Sequence, residues 1–208
     1  MTLLAPRRPR LAVAGGLLTA LTATLAATGV LRRADQYAVD HLMPWLQVRH
    51  HPFVTFGALT VPSVEPPAAR TALELWTYPA AFLPSLLIVL VAAWRLARPD
   101  AITWCALWFA GNAIELAGKL SLRKPDLYHH TFHVATFDTS LPSGHTIRSL
   151  ILAAAVASAW RSGRLAFVWA ATVPFALVVE GAHAPSDVVT GAFVVMTLAA
   201  WAPNLRRA

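Results

Sequence analysis

Apolar residues gather into six stretches, at about 11 to 31, 73 to 94, 101 to 118, 146 to 160, 165 to 180 and 188 to 202, and a chain divided this way has few means of folding in water. With 57 % hydrophobic and 13 % charged residues, it has too little polar surface to cover a soluble core. The pattern predicts an all-α, polytopic integral membrane protein with six transmembrane helices and short interfacial helices. The first stretch follows Arg7, Arg8 and Arg10 and resembles a signal peptide. Its 21 residues are long for that role and no small-x-small cleavage site follows, so a retained helix is expected. Residues 1 to 208 then form one membrane domain, with 32 to 72 an extracytoplasmic interfacial segment and 101 to 202 the part that carries chemistry.

Charge placement gives this scheme a direction. With the N-terminus inside, the cytoplasmic pieces hold Arg7, Arg8, Arg10, Arg95, Arg98, Arg161, Arg164, Arg206 and Arg207 against the single acid Asp100. Basic loops stay cytoplasmic, so both termini are expected inside a cell inner membrane or plasma membrane. The net charge of +7 is therefore explained by topology. The basic residues are spread between apolar runs and form no patch with interleaved aromatics, so no nucleic acid partner is expected. The single cysteine, Cys105, excludes an intrachain disulfide.

Two short patterns carry chemistry. Pro142-Ser143-Gly144-His145 stands just before the fourth stretch. Ser143 suits a helix N-cap, the exposed amides beyond it suit an anion, and Gly144 permits close approach. His145 on the first turn is a plausible proton donor to a bound phosphate, whereas an ordinary turn with an interfacial histidine explains the tetrapeptide equally well. His183 stands four residues before Asp187, at the start of the sixth stretch. A carboxylate on one imidazole nitrogen fixes the tautomer and leaves the other nitrogen as a nucleophile, whereas a satisfied structural pair is the commoner use of this spacing taken alone. Both patterns fall on the extracytoplasmic side.

Together these residues resemble the type 2 phosphatidic acid phosphatase superfamily, integral-membrane relatives of acid phosphatases and vanadium haloperoxidases. Its motifs are Lys-x6-Arg-Pro, Pro-Ser-Gly-His and Ser-Arg-x5-His-x3-Asp. The second is intact, the third is represented by His183 and Asp187, and Lys119 matches the lysine of the first. The resemblance implies hydrolysis of a membrane lipid phosphate through a phosphohistidine on His183, oriented by Asp187, with His145 as proton donor. Ser143, Gly144 and Lys119 would hold the phosphate, and no metal or other cofactor is implied. The substrate class would be a phosphatidate, a phosphatidylglycerol phosphate or a polyprenyl carrier.

Two phosphate-binding arginines of that pattern are missing. Asp126 and Leu127 stand where the first motif has Arg-Pro, and Ala176 and Leu177 where the third has Ser-Arg. Arg123, Lys124 and above all Arg148, one turn after His145, are the expected replacements. Competing structural uses are an Arg148–Glu180 ion pair and a Glu115–Lys119 pair at i,i+4. His129, His130 and His133, with Asp126 and Asp138 nearby, form an alternative metal-binding loop. Two other activities fit the same residues: a phosphotransferase using the same histidine, and a non-catalytic lipid-binding or assembly subunit.

Overall fold

A computed structural model describes residues 6–44, 46, 53–56, 59–62 and 68–203. The packed body is all-α. In chain order it comprises α1 (Pro9–Ala27), α2 (Arg32–His41), α3 (Ala68–Thr77), α4 (Phe82–Trp94), α5 (Arg98–Ser121), α6 (Gly144–Ala159), α7 (Ala166–Glu180) and α8 (Pro185–Leu198). Two antiparallel hairpins interrupt it, β1 (Phe53–Phe56) with β2 (Leu59–Pro62), and β3 (Tyr128–His129) with β4 (Phe132–His133). The first lies in the segment expected to be interfacial, where no strands were anticipated.

The expectation of six transmembrane helices is not met. Two segments are long and apolar enough to cross a membrane, Pro9–Ala27 and Arg161–Glu180, and a third is reached if the bent pair Ala68–Ala80 and Phe82–Trp94 counts as one span. Length decides against α6 and α8. Their 16 and 14 residues rise about 24 and 21 Å, short of a hydrocarbon core of about 30 Å. Helix α5 has the length at 24 residues but carries Arg98, Asp100, Glu115 and Lys119. The apolar character of α6 and α8 serves burial inside the bundle instead.

Helix α6 is the centre, packed on α4, α5, α7 and α8. One core cluster joins Trp104 and Trp108 of α5 to Ile147, Ile151 and Leu152 of α6 and Val194 and Leu198 of α8. A second joins Val39 and Met43, at the end of α2, to Phe137 and to Val173 and Leu177 of α7. Leu17 and Leu21 of α1, Leu83 and Leu87 of α4, and Val168 and Phe175 of α7 point outward, as side chains facing lipid would.

The bend between α3 and α4 is 46° and follows from sequence. Pro84 has no N–H to offer the carbonyl of Ala80 four residues earlier. That carbonyl accepts a 2.7 Å bond from Arg148 Nε of α6, so a neighbouring helix satisfies the freed backbone group.

Helix α1 packs along α8 with glycine at the closest approach. A Cβ on Gly15 would lie 2.5 Å from the backbone nitrogen of Thr197, whereas one on Gly16 would meet nothing within 4 Å. Gly15→Leu is therefore expected to lower the thermal unfolding midpoint in detergent, at a cost of about 1–3 kcal/mol for overpacking. Gly16→Leu should leave that midpoint unchanged or slightly raised.

Candidate functional site

The site is assembled where two helices begin side by side. Ser143 caps α6, its Oγ accepting the Thr146 N–H at 3.3 Å and the Thr146 hydroxyl at 3.1 Å. The Ser143 N–H in turn donates to the Asp187 carbonyl at 3.0 Å, which fixes the start of α6 to the first turn of α8. His145 follows on the first turn of α6.

His183 is placed by the end of α7. Gly181 adopts φ +78°, a left-handed conformation that closes a helix readily only with glycine. The chain then turns so that the Ala182 and His183 N–H groups both donate to the Leu177 carbonyl, at 2.9 and 3.2 Å. Pro185 starts α8, and Asp187 reaches back to accept the Ala184 N–H at 2.9 Å.

These local constraints bring the two imidazoles together. The rings of His145 and His183 face each other with centroids 6.3 Å apart and planes inclined by 58°. Nδ1 of His183 lies 3.5 Å from Asp187 Oδ2 and has no hydrogen-bond partner among the described residues. The carboxylate thus stands on the Nδ1 side of the ring and leaves Nε2 on the side away from it. Burial, then the charges of Arg148 and His183, push the His145 imidazole down to about 4.

Asp187 is fully buried and heavily bonded. It accepts from Lys124 Nζ at 2.6 Å and from the Ser140 hydroxyl at 2.7 Å. Burial by itself would raise its pKa, but the adjoining His183 ring and Lys124 ammonium outweigh it and hold the carboxyl below its ordinary range. Lys124 also stands 3.6 Å from Asp35 of α2, and Asp35 accepts from the Ser186 N–H at 3.0 Å and the Ser186 hydroxyl at 2.6 Å.

The expected phosphate ligands separate into three groups. Ser143 and Gly144 stand beside His145. Lys124 is buried on the far side of Asp187, its ammonium committed to carboxylates, so it supports the site from behind. Arg123 is exposed and makes no ion pair among the described residues. Lys119 and Arg148 converge on one acid, Glu115, which receives Lys119 Nζ on Oε1 and Arg148 Nη1 on Oε2. The i,i+4 pair anticipated for Lys119 is present. Arg148 pairs with Glu115 of α5 rather than Glu180 of α7; Glu180 instead accepts the Thr77 hydroxyl at 3.4 Å.

The histidine-rich loop is organised differently from a three-histidine site. His133 Nε2 meets Asp138 at 2.9 Å and Asp126 at 3.5 Å, and these three residues are grouped closely enough to hold an ion. His129 and His130 instead pack edge to face, with centroids 4.4 Å apart. Asp126, which stands at the arginine position of the first motif, is thus engaged by the hairpin through His133 and Tyr128. A groove of about 580 Å³ runs beside α2, lined by Arg33, Tyr37, His41 and His130 among others, and contains none of the residues expected to bind or transform a phosphate.

Sequence reasoning missed Ser140, Asp35 and Ser186. Ser140 is two residues before a recognised motif and was within reach. Nothing in spacing connects Asp35 with a partner 151 residues away.

No protein-family model matches the chain, and no curated protein matches it in sequence. Among solved structures it is similar to the crystal structure of a transmembrane PAP2 type phosphatidylglycerolphosphate phosphatase from Bacillus subtilis. The TM-score is 0.59 at 17 % sequence identity, over 90 % of each chain. The two proteins share a fold.

The committed role of Lys124 has a measurable consequence. Lys124→Ala leaves Asp187 and Asp35 facing each other in the interior without their cation, so denaturant unfolding in detergent should show a loss of about 3–5 kcal/mol. A lysine serving only to meet a phosphate would be removed with little change in stability.

Proposed function

We propose that this protein is a membrane phosphohydrolase that removes a phosphate from a lipid through a phosphohistidine on His183. The observation that carries the proposal is the pair of imidazoles 6.3 Å apart, one with a carboxylate at its Nδ1 and the other on the first turn of a capped helix. The shared fold with a phosphatidylglycerolphosphate phosphatase supports it, and makes a phosphatidylglycerol phosphate or phosphatidate the first substrates to try.

The chemistry follows from the geometry. His183 Nε2 attacks phosphorus, the bond from phosphorus to the lipid oxygen breaks, and that oxygen leaves with its electron pair and takes a proton from His145. Water then attacks the phosphohistidine, giving its proton to His145 as the phosphorus–nitrogen bond breaks and its electrons return to Nε2. Asp187 stays ionised throughout and steadies the positive charge on His183. Helix-start amides at Gly144 stabilise charge on the transferred group.

Membrane sidedness follows from helix direction. Helices α1, α5 and α7 end near the site and α6 and α8 begin there, while Arg7, Arg8, Arg10, Arg161 and Arg164 lie at the opposite ends. By the positive-inside rule this arrangement supports an extracytoplasmic position for the imidazoles and a cytoplasmic N-terminus.

Release of inorganic phosphate from phosphatidylglycerol phosphate and phosphatidate in detergent tests the reading. His183→Ala should reduce the rate by at least about 10³-fold, as expected for loss of a nucleophile, with thermal stability retained. Equal rates in parent and variant would end the proposal. The engagement of both Lys119 and Arg148 by Glu115 favours a second reading, a non-catalytic lipid-binding subunit, which predicts no phosphate release from either protein.

The pH profile is also fixed in direction. His145 is neutral above about pH 4 in the empty site, so the proton needed by the leaving oxygen arrives with the substrate, whose phosphate takes up its second proton near pH 6. kcat/KM should therefore rise as pH falls from 8 and level off below about 6. A profile that rises with pH over this range contradicts the assignment of His145.

A further inference from the structure

Glu115 is in an unusual place for an acid in a site that handles phosphate. Its carboxylate receives a guanidinium on one oxygen and an ammonium on the other. It also lies flat against Gly144: a Cβ added there would stand 2.0 Å from the carboxyl carbon and from both oxygens. Two cations and the first glycine of a helix surround it as they would surround a bound anion. The guanidinium is held in position by further bonds, from Nε to the Ala80 carbonyl at 2.7 Å and from Nη1 to Asn112 Oδ1 at 2.9 Å. The cradle is therefore built by the fold, and one of its own side chains fills it.

We infer that Glu115 is a specificity-determining residue, a resident anion on Lys119 and Arg148 that selects phosphate groups carrying one negative charge over those carrying two. The inference rests on the phosphohydrolase reading above. Glu115, Lys119 and Arg148 together carry a net charge of +1, which one negative charge balances. A dianionic phosphate at Gly144 meets a carboxylate at close range and is repelled. The other groups facing this point are His145 on α6 and His183 before α8, with Asp187, Lys124 and Asp35 behind His183, two acids to one cation. Replacing Glu115 by its neutral isostere raises the net charge to +2 and frees part of both cations.

Binding of inorganic phosphate to the full chain in detergent, followed by calorimetry at pH 8 and pH 5.5, reads this directly. Inorganic phosphate passes from mainly dianion to mainly monoanion over that interval. The parent should bind it at least about tenfold more tightly at pH 5.5, and Glu115→Gln should bind it at least about tenfold more tightly than the parent at pH 8. Equal or weaker binding by Glu115→Gln at pH 8 overturns the inference. Should that variant fail to fold, the parent alone decides. Sulfate remains dianionic at pH 5.5 and should bind at least tenfold more weakly than phosphate there, and equal affinities overturn the inference. A parent that binds phosphate at neither pH removes the phosphate site itself, and the phosphohydrolase reading with it. Binding that ignores Glu115 removes only the selectivity.

Discussion

A lysine ammonium buried between two carboxylates holds the working end of this molecule together. Lys124 bridges Asp187 of α8 and Asp35 of α2, and a charge so far from water persists only because its partners are equally fixed. Each partner is bonded again: Asp187 to Ser140 and the Ala184 N–H, Asp35 to both donors of Ser186. The result ties the segment after the first membrane helix, the loop after α5 and the start of α8 into one polar knot. His183 rests against that knot through Asp187, so its orientation is inherited from contacts it does not make itself.

The same economy of charge appears on the other side of the imidazole pair. Arg148, Lys119 and Glu115 form a second cluster, with two cations to one acid where the first has two acids to one cation. The two clusters flank the rings with opposite excess, negative behind His183 and positive beside His145. In the proposed reaction the nucleophilic ring lies against the first and a bound anion against the second, so the polarity of the site is laid down by which residue is outnumbered.

Legibility in the sequence tracked locality. The Ser143 cap, the i,i+4 pair of Glu115 with Lys119, and the approach of His145 to His183 all depend on residues near helix starts or on one helix face, where spacing dictates geometry. Roles that depend on packing across the bundle were not readable. Lys124 counts as a clamp residue by position, yet a turn after α5 buries it against Asp187. Arg148 had Glu180 as its expected structural partner, yet α5 and α7 both pack against α6, and the acid that meets the guanidinium is Glu115 on α5. Counting spans failed for a related reason: the apolar runs of α6 and α8 report burial, and burial within a bundle looks the same in composition as burial in lipid.

The bend between α3 and α4 has a consequence beyond backbone geometry. The Ala80 carbonyl at the elbow is satisfied by the same guanidinium that holds Glu115. Any swing of the outer arm, α3, would tug on Arg148, and with it the electrostatic potential at the two rings. The position of α3 and the charge balance beside the two rings are thereby joined through one side chain.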